Sequence, residues 1–371
     1  MKRRKRIAQL FIACIFLIFI YALTIANLFA PKKDFSDNEN RSLAKAPELS
    51  LQNIFGGNFD TEFESWFTDH FINRDTWIEM KASVRKNAGA IENNNVYFGK
   101  EGRLISAYTS YDPKILDQNI KYINDFSDTT GLKANIMIVP TAAYGERKYL
   151  PFGSYNIDEK ALLDNIGTQF KDQNYMNIAD KLGTSGDYYF KTDHHWNAAG
   201  AEIGYDEICR DVLNKDPQEF TYTKVSDDFE GTMYSRSGAF WTKGDSLYRM
   251  DPDHENPVTV TYEDGTVSDS MFINENLKKK DQYTYYLDGN HAYEDIHTSV
   301  DNGRTAVIIK DSYAHILIPY LAQEYSEIKV FDMRYYRQSV SAQVTDPDHT
   351  DLYFIYSLDT LTSDTNLAAL W

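Results

Sequence analysis

Cysteine is nearly missing from this chain: 371 residues hold two, Cys14 and Cys209. Cys14 falls in an apolar N-terminal run and Cys209 in a segment of helical spacing, so the two cannot meet and no disulfide is expected. A chain of this length buries enough apolar surface without one, as one large domain or two. Basic charge is scarce too. Lys and Arg number 38 against 55 Asp and Glu, a formal charge of −17. Five of the cations (Lys2, Arg3, Arg4, Lys5, Arg6) crowd the N-terminus; without them 33 face 55, a formal charge of −22. That balance argues against nucleic acid and anionic lipid as partners. There is no Walker loop, no glycine-rich dinucleotide fingerprint, no His-Glu-x-x-His spacing and no internal repeat. No cofactor is expected.

Charge is also absent from Ile7 to Ala30, 24 residues that are long enough to cross a bilayer as a helix. The basic cluster before them places the N-terminus in the cytoplasm and the rest of the chain outside it. The rival is a signal peptide cleaved after Ala30, which would make the protein secreted. However, Leu28 is bulkier than the small residue usual at that site, and the run exceeds a typical signal core. An uncleaved anchor in the cell membrane is the expectation.

What the chain does have is the stretch Lys191-Thr192-Asp193-His194-His195-Trp196-Asn197. Asn197 is a plausible N-cap, and Ala201, Tyr205, Ile208 and Val212 recur behind it at helical spacing. Asp193 and His195 are two apart, so an extended backbone puts them on one side. A carboxylate there orients an imidazole as a general base. The group to activate is Ser312. It follows Thr305–Lys310, a short apolar β-branched run that reads as a buried strand, and precedes a helical stretch. That strand end is where open α/β sheets present their chemistry. The plainer readings are an N-cap for Asp311-Ser312 and a structural or metal-binding role for the histidines. As metal ligands Asp193, His194 and His195 would need His315 or His291, but adjacent side chains point apart; no metal is expected.

Asp193-His194-His195-Trp196 matches the DHHW proteins, which resemble the alginate O-acetylation proteins of the SGNH-hydrolase superfamily. The resemblance extends through Glu39-Asn40-Arg41-Ser42-Leu43, Phe67 to Arg74, Val96 to Lys100, Phe229-Glu230-Gly231, Lys310 to Tyr313 and Asp332 to Tyr336. It implies an Asp-x-His pair and a later Ser acting together: Asp193, His195 and Ser312, in the order acid, base, nucleophile. It also implies O-acetyl transfer to a cell-surface polysaccharide, with a membrane-bound O-acyltransferase as the partner that donates the acyl group.

The expected fold is α/β, an SGNH-hydrolase-like parallel sheet with a β-rich insertion, preceded by one N-terminal transmembrane helix. The boundaries run 1–30 for the cytoplasmic stub and anchor, and 31–100 for a lead with an amphipathic helix packing on the core. The first half of the α/β domain is 101–215, the insertion 216–302 and the second half 303–371. Helices are expected at Lys114–Phe126 and about Glu159–Lys171, and strands at Ala134–Val139, Ile328–Phe331 and Leu352–Tyr356. Turn dipeptides and short segments such as Val258–Tyr262 and Gln282–Leu287 give the insertion its β reading.

Around the nucleophile, the Ser312 N–H is a natural oxyanion donor. Asn290, in Gly289-Asn290-His291, is either a second donor like that of SGNH enzymes or an ordinary turn residue. Arg334 binds substrate or forms a bracing salt bridge. Trp196 packs or stacks on sugar, Tyr313 stands with the substrate-binding candidates, and His194 is structural. Ser235 and Ser237 are rival nucleophiles, on no strand-to-helix turn. Two rival functions remain beside acetyl transfer: a carbohydrate acetylesterase, and an inactive glycan-binding scaffold.

Overall fold

The structure is a computed structural model of the 371-residue chain. It describes all residues except Met1, Asp37, Asn40, Lys171, Thr184, Ser185, Glu255 and Thr345, with the backbone alone for Lys2, Arg3, Lys5 and Ala8. Asn40, one of the residues in the family resemblance, thus lies outside the described residues. The chain divides into two compact units, 1–87 and 88–371.

The first unit opens with α1 (Lys2–Phe29), whose last 21 residues, Gln9–Phe29, are long and apolar enough to cross a membrane. At about 1.5 Å per residue that stretch spans roughly 30 Å, one hydrocarbon core. Two amphipathic helices follow, α2 (Phe59–Asp69) and α3 (Arg74–Asn87). Asp69 ties the polar segment before them in place: Arg41 reaches it with both terminal nitrogens, at 2.9 and 2.5 Å, and the Ala44 N–H donates to it at 2.8 Å. Arg74 pairs with Glu39 at 2.9 Å.

In the second unit β1 (Glu92–Asn93), β2 (Val96–Phe98) and β3 (Leu104–Ser106) form a small antiparallel sheet. Its first turn uses Asn94 and Asn95, both at positive φ, the pair a tight hairpin requires. Helix α4 (Pro113–Thr130) is capped by Asp112, starts on Pro113 and stops at left-handed Gly131. It buries Leu116, Ile120, Ile123 and Phe126. Strand β4 (Ala134–Val139) is buried at every position and ends at Pro140. After α5 (Glu159–Gln169) come β5 (Asn174–Tyr175) and α6 (Ala198–Asp211).

The chain then forms β6 (Phe220–Phe229), the short α7 (Thr232–Ser237) and β7 (Asp245–Pro252), which pairs back on β6. Next are β8 (Val258–Tyr262), β9 (Val267–Ser268), β10 (Tyr293–Thr298), β11 (Thr305–Lys310), β12 (Glu327–Phe331), β13 (Thr350–Ser357) and α8 (Leu358–Ser363). The main sheet runs β9-β8-β10-β12-β11-β13-β4-β5. The five strands from β12 to β5 are parallel, as the β-branched apolar runs lead one to expect, while β8, β9 and β10 extend the sheet antiparallel. The sheet is therefore mixed. Its centre, β11 against β13 and β12, is largely apolar and buried and carries Ser312 beyond its C-terminal end.

Two local expectations change. Gln282–Leu287 is no strand: Gln282–Tyr285 form a 3-10 helix, and Leu287 takes a positive φ. Tyr283, Tyr285, Tyr286 and Leu287 are all buried, which an alternating strand with one wet face does not allow. After Ser312 the chain makes a 3-10 turn (Ser312–Ile316) and then one α-turn (Ile318–Leu321) in place of a continuous helix. Pro319 has no N–H to donate and lies in the first turn of the second segment, where a missing donor is tolerated, so it marks a helix start.

Candidate active site

The Lys191–Asn197 loop is held at both ends. Tyr189 and Trp196 form an antiparallel bridge. The Phe190 N–H donates to the His195 carbonyl at 3.2 Å, and the Asn197 N–H to the Tyr188 carbonyl at 2.9 Å. Asn197 then caps α6 by accepting the Gly200 N–H at 3.1 Å. From below, Asp245 at the start of β7 accepts the N–H groups of Lys191 (2.7 Å) and Thr192 (2.8 Å) and the Thr192 hydroxyl (2.6 Å).

This pinned loop brings Asp193 and His195 together. Asp193 Oδ1 lies 2.5 Å from His195 Nδ1 and accepts the His195 N–H at 3.1 Å. Its Oδ2 accepts from the Thr232 N–H (2.7 Å) and hydroxyl (2.8 Å) at the start of α7. Gly231 approaches so closely that a Cβ there would sit 2.3 Å from Asp193 Cβ. His195 Nε2 lies 2.8 Å from Ser312 Oγ. With Asp193 ionised, Nδ1 carries the imidazole proton and Nε2 presents its lone pair, so the Ser312 hydroxyl donates.

Ser312 is fixed by its neighbour. Asp311 accepts the Tyr313 N–H at 2.9 Å, and with its other oxygen the Ser357 N–H (2.9 Å) and hydroxyl (2.7 Å) at the end of β13. The Tyr313 amide is thereby used up. The Ser312 N–H makes no hydrogen bond among the described residues, so it is the amide left to meet an oxyanion.

Electrostatics suit a neutral base. Burial pushes the His195 imidazole down to about 4, assisted by His194 and opposed by Asp193. Burial would raise Asp193, but the two imidazoles and their hydrogen bonds outweigh it and hold the carboxyl well below its usual range. For His194 the same burial works downward, and the Asp193 carboxylate overcomes it to raise the imidazole. His194 Nδ1 donates to the Thr232 hydroxyl at 2.7 Å. Asp193, His194 and His195 do present potential ligand atoms within 4.8 Å of one another, but both nitrogens of His195 are engaged within the chain from Asp193 to Ser312. The other two histidines weighed as ligands lie elsewhere: His315 Nε2 is 2.6 Å from Lys310 Nζ, and His291 Nδ1 is 3.1 Å from Glu263.

Ser312 and His194 open on a cavity of about 370 Å³. Thr141 and Ala142 from the loop after β4, Thr232 and Arg236 from α7, Arg334, and Asp359 from α8 wall it. Glu159 holds Thr141, accepting its N–H at 2.8 Å and its hydroxyl at 2.6 Å. Arg334 is braced by Asp332, at 2.8 Å through Nε and 2.5 Å through Nη2. Asp332 itself is fully buried beside Lys310, 3.4 Å away.

Of the remaining sequence candidates, Arg334 therefore reaches the cavity and Asn290 does not. Asn290 is exposed, and its side-chain oxygen accepts from Arg334 Nη2 at 3.0 Å. Tyr313 lines the cavity, yet its N–H is taken by Asp311 and its hydroxyl by the His194 carbonyl. Trp196 is 0% exposed, and its Nε1–H donates to the Tyr313 carbonyl at 2.7 Å. That corrects the sugar-stacking alternative: a ring with no accessible face packs and positions. Ser235 and Ser237 hydroxyls are turned to the carbonyls of Gly231 and Tyr234.

Sequence reasoning missed Tyr283. Its ring lies flat on His195, with centroids 3.9 Å apart and planes 9° apart, and its hydroxyl donates to the Ser312 carbonyl at 3.0 Å. It also missed Asp245 and Thr232, the groups that set the loop and the carboxylate. An acid ending a turn and a Thr after Gly are too common to signal either.

Comparison with solved structures gives the fold its relatives. A DHHW family protein from Eubacterium siraeum is similar with a TM-score of 0.65 at 22% identity, over 74% of this chain and 95% of that one. Bacillus cereus PatB1, solved with a sulfonyl adduct, gives 0.59 at 20%, over 72% and 96%. The O-acetyltransferase domain of Pseudomonas putida AlgJ is more distant, at 0.49 and 15%, over 74% and 94%. No curated protein matches the sequence. The fold is SGNH-like α/β, the family model for DHHW proteins matches residues 102–331, and the chain belongs to the DHHW family.

Proposed function

We propose that this protein is a serine-dependent O-acetyltransferase, anchored in the cell membrane by α1, that acetylates a cell-surface polysaccharide outside the cytoplasm. The observation that carries the reading is the unbroken hydrogen-bonded chain Asp193–His195–Ser312 opening on a cavity of about 370 Å³. Ser312 Oγ attacks the acetyl carbonyl carbon of the donor ester while its proton passes to His195 Nε2. The oxyanion that forms is met by the Ser312 N–H. The donor alcohol leaves with the proton from His195, and acetyl-Ser312 remains. An acceptor sugar hydroxyl then gives its proton to His195 and attacks the acetyl carbon. Ser312 Oγ departs and takes the proton back. Asp193 holds the imidazole in the right tautomer and stabilises its charged form in both halves. Outside the cytoplasm the acyl group comes through a membrane-bound O-acyltransferase partner.

The test uses the full chain in detergent with a chromogenic acetyl ester and a hydroxyl-rich oligosaccharide, acetylated product being read by mass spectrometry. Ser312→Ala and His195→Ala should each lower turnover by about 10³-fold or more with the fold intact by circular dichroism. A sulfonyl fluoride should label Ser312 in the wild type only. Acetate release without acetylated sugar would make the protein an esterase. Absence of both, with no adduct on Ser312, would leave a glycan-binding scaffold.

A further inference from the structure

A second concavity, of about 540 Å³, borders the same loop without touching Ser312 or His195. It lies between the β6–β7 hairpin and the first turn of α6, with Tyr286 in its wall. Two tyrosines of the hairpin line it. Lys224 stands opposite Tyr248, and Tyr222 is two residues from Lys224, so both rings occupy one hairpin face. They are 38% and 37% exposed, unlike most tyrosines of this chain, which are buried.

The charges around this cavity are unevenly committed. Asp245 is occupied by the Lys191 and Thr192 N–H groups, Asp187 lies 3.1 Å from Arg103, and Asp227 lies 3.5 Å from Lys224. Arg103 is also paired with Glu146. The exposed side chains of Lys191 and Lys243 have no ion-pair partner among the described residues. Beside them, α6 is a 14-residue helix whose cap, Asn197, satisfies the Gly200 N–H. Ala198 and Ala199 line the cavity, their N–H groups have no acceptor among the described residues, and the helix dipole favours negative charge at this end. Two lysines without an ion-pair partner among the described residues and the first turn of a helix thus meet at one cavity, while its three acids are each engaged.

We propose that this cavity binds a saccharide unit carrying a negative group, a carboxylate or a phosphate. Tyr222 and Tyr248 take the apolar face of the sugar ring, and Lys191, Lys243 and the first turn of α6 take the anion. Aromatic rings beside a few convergent polar groups, in a volume of this size, are the usual make-up of a small-ligand site. Ser312 has no part in this binding, so the site stands or falls separately from the acetyl-transfer reading.

The experiment is titration calorimetry on the full chain in detergent, with tetraglucuronate, glucose 6-phosphate, neutral maltotetraose and inorganic phosphate as probes. One charged sugar should bind at least tenfold more tightly than maltotetraose, and glucose 6-phosphate more tightly than inorganic phosphate if the phosphate is the group recognised. Lys191→Ala/Lys243→Ala should weaken the charged sugar at least tenfold, and so should Tyr248→Ala, each with an unchanged melting curve. Ser312→Ala should bind as wild type does. Failure of both charged sugars to bind overturns the proposal. So does equal binding of the neutral one, or charged-sugar binding that survives loss of both lysines. Inorganic phosphate binding as tightly as glucose 6-phosphate, with tetraglucuronate silent, reduces the site to an ion site and overturns the saccharide part.

Discussion

If His195 is the base, its activity should survive to an acidity at which an ordinary histidine is already protonated. Burial takes this imidazole from 6.5 to about 4. A drop of that size corresponds to roughly 3 kcal/mol in favour of the neutral form. The sign follows from the mechanism: the reactive form is neutral, so activity is full above the folded value and is lost as pH falls through it. With a chromogenic acetyl ester the acid limb of kcat/KM, which reports the free enzyme, should fall near pH 4 and not near 6.5. The neighbouring imidazole sharpens the test. His194 is raised and, when charged, contributes to lowering His195. Its ring centroid is 3.9 Å from that of His195. In His194→Ala the acid limb should therefore move upward, toward 6.5, while Asp193 and Ser312 remain in place. An acid limb near 6.5 in the wild type would refute the assignment of His195 as a buried, neutral base; one that stays put in His194→Ala would refute the part given to His194.

Three further substitutions test the parts that hold this base. Gly231→Ala puts a Cβ 2.3 Å from Asp193 Cβ and 2.5 Å from Oδ2. Displacing the carboxylate should cut kcat by about 10² and cost about 1–3 kcal/mol of stability by overpacking, read by steady-state kinetics and thermal melting. Tyr283→Phe removes the hydroxyl that donates to the Ser312 carbonyl and keeps the ring on His195. It should destabilise by about 1–3 kcal/mol without moving the acid limb, whereas Tyr283→Leu, which loses the stacked ring, should also lower kcat. Asn197→Ala removes the α6 cap; about 1 kcal/mol of stability should go, a fall in Tm of about 2 °C for a unit of this size.

Much of the α/β framework is legible in one dimension because its strands are buried on both faces. Apart from Asn135, Thr305 and Lys310, the strands Ala134–Val139 and Thr305–Lys310 are apolar, and near-continuous burial leaves no alternation to obscure them. The cap at Asn197 is equally legible, since a polar residue before a periodic apolar stripe has a local cause. The failures are non-local. Gln282–Leu287 has strand composition, but all four of Tyr283, Tyr285, Tyr286 and Leu287 are buried, Tyr283 against His195 and Tyr285 against Phe272. The stretch after Ser312 splits into a 3-10 turn and an α-turn, and its apolar periodicity does not distinguish that from one continuous helix.

The site divides along the same line. Asp193 and His195 are a two-residue relation that an extended backbone satisfies by itself, and Ser312 at a strand end is a local pattern as well. Their meeting is not local: 117 positions separate His195 from Ser312, and what joined them in advance was the chemistry of a base beside a hydroxyl together with the family resemblance, not spacing. What makes the meeting rigid comes from the middle of the chain. Thr232 and Gly231 shape the carboxylate, Asp245 holds the loop that bears it, and Tyr283 covers the imidazole while hydrogen-bonding to the Ser312 backbone. Each replaces solvent next to a group whose protonation state decides the chemistry. A His195 exposed to water would return toward 6.5, and an Asp193 without the two imidazoles beside it would lose much of what keeps it ionised at this depth. The segment from Phe229 to Tyr283 is thus the wall that turns an Asp-x-His spacing and a distant serine into a dry, pre-oriented base and its hydroxyl.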